Sequence, residues 1–166
     1  KFAANEAYKT AISLGMTPEE ARKAVSEASI LNGMSKEDAN KDAIKSAYDT
    51  AYEKAIASGM SEDEARRLAA KEAYNMAVAS GVSDFDAKKI IIDKVYREAY
   101  EKKIQLKATA KEAVRYGSKE ASTVASALEM KAEDTQKFIT RSAYDYAYKK
   151  SKRKKSVNKN KIKSAA

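Results

Sequence analysis

Cysteine and histidine are both absent from this chain of 166 residues. It can therefore form no disulfide framework and no thiolate zinc site, and it offers neither a thiol nucleophile nor an imidazole base. Long apolar runs are missing too. The longest strong one, Ile90–Ile92, is far shorter than the roughly 18 residues of a membrane helix. We therefore predict no membrane insertion.

Proline and large apolar side chains are scarce. Pro18 is the only proline, and Leu, Ile, Val and Phe together number 25, about 15% of the chain. Such a fraction would by itself indicate disorder. The 32 alanines and ten tyrosines reverse that interpretation, because alanine lets helices approach closely and tyrosine fills the larger gaps. Helix formers dominate the rest, which predicts an all-helical protein.

The stretch Ala51–Ala65 contains a complete signal for ending one helix and starting another. Gly59 can adopt the left-handed conformation that closes a helix. Ser61 can cap the next helix, with Glu64 three residues later as its capping-box partner. Versions of this junction recur, so we expect chain reversals near Gly15, Gly33, Gly59, Gly81 and Gly117.

These junctions predict a compact all-α array or bundle of six to seven short helices with internal helix–cap–helix repeats. The fifth helical region begins near Asp84. If it continued without a break to Tyr116 it would contain about 33 residues, which is long for one helix. We therefore expect a break near Lys103–Lys107 and a sixth helix from about Lys119. The other expected helices cover roughly Phe2–Leu14, the stretch from Pro18 to about Asn32, Lys36–Ser58 and Glu62–Ser80.

Two kinds of internal repetition are visible. Ala-Tyr or Val-Tyr pairs recur every 22 residues, at Tyr52, Tyr74 and Tyr96. In addition, residues 33–54 match residues 129–150 without a gap, which suggests a duplicated unit and predicts that Tyr48 and Tyr144 share an environment, as do Tyr52 and Tyr148. The alternative is that helices rich in alanine and tyrosine have arrived at similar short sequences independently, without duplication.

Charge divides the chain into two parts. Residues 1–148 form the predicted helical body, which carries 24 basic and 24 acidic residues. Residues 149–166 form a basic tail without acids, expected to be helical at its start and then extended or disordered. Its nine cations are the predicted polyanion-binding residues: Lys149, Lys150, Lys152, Arg153, Lys154, Lys155, Lys159, Lys161 and Lys163.

No motif for catalysis or for a cofactor is convincing. Asp84 and Asp86 resemble the start of a calcium loop, but Lys88 and Val95 occupy later ligand positions. The Ser-x-x-Lys spacing at Ser151 lies inside the basic run and is interpreted as accidental. We expect no enzyme activity, no cofactor and no metal. The tyrosine pairs one helical turn apart, such as Tyr48 and Tyr52, are interpreted as core residues rather than base-stacking platforms.

These features predict a non-enzymatic structural or assembly protein, such as a component of a virion or nucleoprotein particle. The body would contact protein neighbours, and the tail would bind nucleic acid or another acidic surface. The alternative is a soluble helical adaptor whose tail is a localisation signal, which would allow a nuclear location. A third hypothesis is an enzyme fragment, since Lys1 rather than methionine opens the sequence. If the tail does not bind, the first helical residues to test are Arg66, Arg67, Lys71 and Lys88.

Overall fold

Seven α-helices make up the computed structural model, which describes the backbone of residues 2–163 and the side chains of residues 6–147 except residue 19. Within those bounds it contains no strand, which confirms the predicted all-α class. In chain order the helices are α1 Phe2–Ser13, α2 Pro18–Leu31, α3 Lys36–Ala57, α4 Glu62–Ala79, α5 Asp84–Gln105, α6 Ala110–Ala127 and α7 Ala132–Lys163.

Hydroxyl side chains begin five of these helices. Thr17, Ser61 and Thr109 form complete capping boxes with the glutamate three residues later. Ser35 and Ser83 cap α3 and α5, and each hydroxyl accepts a hydrogen bond from the backbone N–H of an aspartate three residues on. The junction predicted around Gly59 and Ser61 is therefore confirmed.

The helix ends use a left-handed residue to satisfy the last carbonyl groups. At Gly59, φ is +88°, and the N–H groups of Gly59 and Met60 donate to the carbonyls of Ile56 and Ala55 at 3.0 and 3.2 Å. This pair of bonds is the Schellman motif. The reversals expected at Gly15, Gly33 and Gly81 follow the same pattern.

The reversal expected at Gly117 is wrong. Gly117 lies inside α6, and a Cβ atom there would be only 3.0 Å from the carbonyl oxygen of Tyr96. Glycine is needed at this position because two helices pass close together, not because the chain turns. The sixth helix begins at Ala110 rather than near Lys119. The break expected near Lys103–Lys107 is present, and there Lys107 adopts φ +62° in place of glycine.

A period of 48 residues organises the fold. Helices α3, α5 and α7 begin at positions 36, 84 and 132, while α4 and α6 begin at 62 and 110. Residues 35–82 and 83–130 share 19 identical positions without a gap. The correspondence between residues 33–54 and 129–150 thus spans two periods, and residues 81–102 are the intervening copy.

The helices stack in two rows, with α1, α3, α5 and α7 in the first row and α2, α4 and α6 in the second. In the described part of the chain, every helix contacts the next one and the next but one, and none further along. This pattern is that of a helical-repeat array, in which stability comes from neighbouring units.

Small and aromatic residues fill the space between the rows. Alanines such as Ala69 and Ala73 are buried, and Tyr48 and Tyr96 are only 3% and 1% exposed. This confirms the core interpretation for those two rings. The expectation that Tyr48 and Tyr144 share an environment is wrong, because Tyr144 is 69% exposed. The side chain of Tyr148, which was paired with Tyr52, lies outside the described residues.

The backbone of α7 continues as a helix to Lys163. It is therefore helical further along than the extended or disordered tail expected from the sequence. Lysine and arginine are good helix formers, and no proline or glycine interrupts this region.

Candidate polyanion-binding groove

The two longest helices of the second row, α4 and α6, enclose an open groove of about 650 Å³. Arg67 and Lys71 lie one turn apart on α4, and Lys119 on α6 is the repeat equivalent of Lys71. Because α4 and α6 are neighbours in the row, repetition places these cations on opposite walls. The remaining lining residues are small or carry hydroxyls, namely Ser122, Thr123, Ser126 and Ala127.

The positive charge of this groove is not neutralised by the residues that line it. No carboxylate lines the groove, and Arg67, Lys71 and Lys119 form no ion pair within the described part of the chain. Glu64 lies near enough to Arg67 for the charge of Arg67 to affect its pKa. Its pKa is lowered first by hydrogen bonds from Ser61 and less by the charge of Arg67. The carboxylate of Glu64 accepts hydrogen bonds from the backbone N–H and hydroxyl of Ser61 in the capping box. The three cations therefore remain available to an external anion.

A second groove, across α3, α5 and α7, shows the opposite arrangement. It is lined by cations and carboxylates together. Lys41 lies 2.7 Å from Glu37, Lys45 lies 3.2 Å from Asp42, and Arg97 lies 2.7 Å from Asp93. These cations are already paired within their own helices. Of the two surfaces, the α4–α6 groove is therefore better suited to bind an anion.

Arg66, the neighbour of Arg67 on α4, does not line this groove and has a structural role. Its side chain is 10% exposed, and its guanidinium lies 2.7 Å from Glu62 and 3.0 Å from Glu120 on α6. The contact with the Oε2 atom of Glu120 is an ion pair whose geometry is not that of a hydrogen bond. Glu120 is only 3% exposed and needs this neighbouring positive charge to remain buried.

The four helical cations selected from the sequence thus separate into two pairs. Arg67 and Lys71 lie in the groove, whereas Arg66 is buried and Lys88 is bound to Asp84 at 2.8 Å. Sequence reasoning missed Lys119. The 48-residue period would have identified it, because Lys119 repeats Lys71 and Arg115 repeats Arg67.

The nine predicted tail cations cannot be placed relative to this groove, because their side chains lie outside the described residues. The backbone of residues 149–163 is part of helix α7, so all nine tail cations lie on one helical segment. Both parts of the candidate site are therefore helical.

Asp84 and Asp86, whose spacing resembles the start of a calcium loop, have other partners. Asp86 accepts a hydrogen bond from Ser83 at 2.7 Å, and Asp84 accepts one from Tyr74. Among the described residues there is no group of three or more carboxylates able to hold a metal ion. Over the same residues, no helix has the length and apolar character needed to cross a membrane.

Comparisons of the chain with models of protein families, with curated proteins and with solved structures give no match.

Proposed function

We propose that this chain is a non-enzymatic assembly protein that binds a polyanion, such as the phosphate backbone of a nucleic acid, through the α4–α6 groove and the basic tail. The observation that supports this most strongly is the set of three cations, Arg67, Lys71 and Lys119, that face one groove in which none of the described lining residues is a carboxylate. A phosphate chain satisfies such cations without requiring sequence-specific contacts.

The charge distribution explains why binding would be divided between two parts. The body has no net charge, so attraction to a polyanion depends on local unpaired cations rather than on the field of the whole body. The tail contributes all of the formal net charge of +9. We expect the tail to supply long-range attraction and the groove to supply a fixed site.

The repeat architecture provides the assembly part of the proposal. Helical-repeat arrays expose long surfaces made from equivalent positions, which suit them to contacts with other macromolecules. The groove occupies only the second row, so the surface of the first row remains available for protein neighbours.

The test uses the full chain and a fluorescein-labelled 20-nucleotide single strand, with binding followed by anisotropy at about 50 mM salt. The groove variant replaces Arg67, Lys71 and Lys119 with glutamine. The matched control replaces three exposed cations outside the groove, Lys36, Lys54 and Lys131, so both variants lose the same charge. A tail variant carries glutamine at positions 152–155.

We expect the groove variant to lose about tenfold or more in affinity, because three phosphate contacts disappear, and the control to lose less than about threefold. The tail variant should also weaken binding. Equal losses in the groove and control variants would show that only net charge matters. The proposal fails altogether if the unmodified chain does not bind the strand.

A further inference from the structure

The repeat pattern defines a further helix position at the end of the second row, and no described helix occupies it. Each second-row helix packs against the preceding helix of its row and against its first-row partner: α4 against α2 and α3, and α6 against α4 and α5. The next such position lies between α6 and α7. No described segment occupies it, because α7 runs for 32 residues, whereas α3 and α5 end after 22 and let the chain reverse.

Residues of α7 that face this position are exposed where their repeat equivalents are buried. Tyr144 is 69% exposed, whereas the same position is Tyr48 in α3 and Tyr96 in α5, both buried. Ala147 is likewise exposed, and Ala99, which repeats it in α5, is buried. In α3 and α5 it is the partner helix, α4 or α6, that packs against this side.

On the side that faces this vacant position, residues of α6 are also more exposed than their repeat equivalents in α4. On α4, Arg66 and Ala70 are 8% and 0% exposed, and Arg66 is in contact with Glu120 of α6. Their equivalents on α6 are Val114, which is 41% exposed, and Ser118, which is half-buried. The exposed residues of α6 and α7 thus lie on two sides of one groove, the α6–α7 groove.

On the side of α7 that faces α5, residues are buried as they are in the preceding repeat. Ile139 and Ser142 are 4% and 6% exposed, as their equivalents Ile91 and Lys94 in α5 are 0% and 6% exposed. The packing of α7 against α5 is therefore retained. The largest losses of burial in α7 therefore lie on the side that a second-row helix would cover.

We propose that the α6–α7 groove binds an amphipathic helix of a protein partner that carries alanine or glycine at every fourth position of its apolar face. The internal pairs define this requirement. A Cβ atom on Gly117 would already lie 3.1 Å from the ring of Tyr96, so only small residues can pack on such a ring. Small residues occupy this face in both copies: Ala65, Ala69, Ala73 and Ala77 in α4, and Ala113, Gly117, Ala121 and Ala125 in α6.

The probe is a synthetic peptide of residues 109–130 of this chain, which contains α6 and its caps, labelled at its N-terminus and titrated with the full chain. A helix of this length is marginal alone in water, so binding should raise both its anisotropy and its helicity. Tyr144→Ala and Val114→Asp test the two walls. Val78→Asp is the control, because Val78 on α4 is 40% exposed and, in the described part of the chain, α4 does not contact α7.

We expect saturable binding that weakens at least tenfold in both wall variants and stays within about twofold in the control. Tyr144 is exposed, so Tyr144→Ala should leave the melting temperature of the chain unchanged. The proposal is overturned if the peptide does not bind saturably. That result is expected if α7 simply ends the array and its exposed side faces only solvent. It is also overturned if the wall variants bind normally, or if sedimentation shows a dimer of the chain that Tyr144→Ala dissociates, since a second copy would then be the occupant.

Discussion

Exchanging glycine and non-glycine residues at equivalent helix ends should change stability in opposite directions. Gly59 ends α3 with φ +88°, and Lys107 ends α5 at the equivalent position with φ +62°. The hydrogen bonds are the same, since the N–H of Lys107 donates to Ile104 at 2.9 Å and the N–H of Gly59 donates to Ile56 at 3.0 Å. Gly59→Lys and Lys107→Gly therefore test one conformation in two copies of the repeat.

The magnitudes follow from two opposing effects. A left-handed conformation costs a residue with a Cβ atom about 1–2 kcal/mol. Introducing glycine costs about 0.4–1 kcal/mol, because the unfolded chain gains conformational freedom. Lys107→Gly should therefore raise the free energy of unfolding by about 0.5–1 kcal/mol. Gly59→Lys should lower it by about 1 kcal/mol, and no heavy atom lies within 4 Å of the added Cβ atom, so the loss is conformational rather than steric.

The assay is thermal and urea unfolding followed by circular dichroism, where 1 kcal/mol corresponds to about 2–4 °C for a chain of this size. Gly81→Glu and Glu129→Gly form a second matched pair, with φ +81° and +53°. Changes of the same sign within a pair would refute the reasoning, because the equivalent ends would then not share a conformational cost.

Three further predictions concern packing and charge. Arg66→Ala should lower the free energy of unfolding by about 3–5 kcal/mol, because Glu120 is left buried without its cation. Replacing both Arg66 and Glu120 with methionine should restore most of that loss. Urea unfolding measures both variants, and a double variant as unstable as Arg66→Ala would contradict the prediction. Gly117→Val should cost about 1–3 kcal/mol by overpacking against Tyr96, and an unchanged melting temperature would disprove the close approach. Hydrogen bonds from Ser61 hold the pKa of Glu64 below its ordinary 4.5, so its stabilising contribution is present above pH 4.5 and is lost as the pH falls through the folded-state pKa. Glu64→Gln should therefore flatten the acid side of the stability profile, and a profile identical to that of the unmodified chain would exclude this role.

Local chemistry made most helix boundaries predictable. A hydroxyl residue followed three positions later by an acid, preceded by glycine, marks the starts of α2, α3, α4 and α5. The break after α5 was expected, but the start of α6 was placed near Lys119 rather than at Ala110, because Lys107 takes the left-handed conformation that glycine takes elsewhere. Gly117 was then mistaken for a turn, since a glycine required by close packing looks the same in the sequence as one required by a reversal.

The candidate site was less predictable, because it depends on which residues the stack brings together. The sequence selected Arg67 and Lys71, which line the groove, together with Arg66 and Lys88, which do not. Burial and ion pairing separate these residues, and neither is visible in a helical pattern. Exposure of Tyr144 also escaped prediction, because its sequence neighbourhood matches that of the buried Tyr48, and the difference is that α4 packs beside Tyr48 whereas no second-row helix among the described residues follows α7.

The salt dependence of polyanion binding tests the central claim most directly. The affinity of the full chain for the labelled single strand should be measured between 50 and 200 mM salt. If about six phosphates are contacted, a plot of log affinity against log salt should have a slope of about −4 to −5. Glutamine at Arg67, Lys71 and Lys119 should make that slope shallower by about 2. A slope near zero, or one that the groove substitutions leave unchanged, would contradict the account.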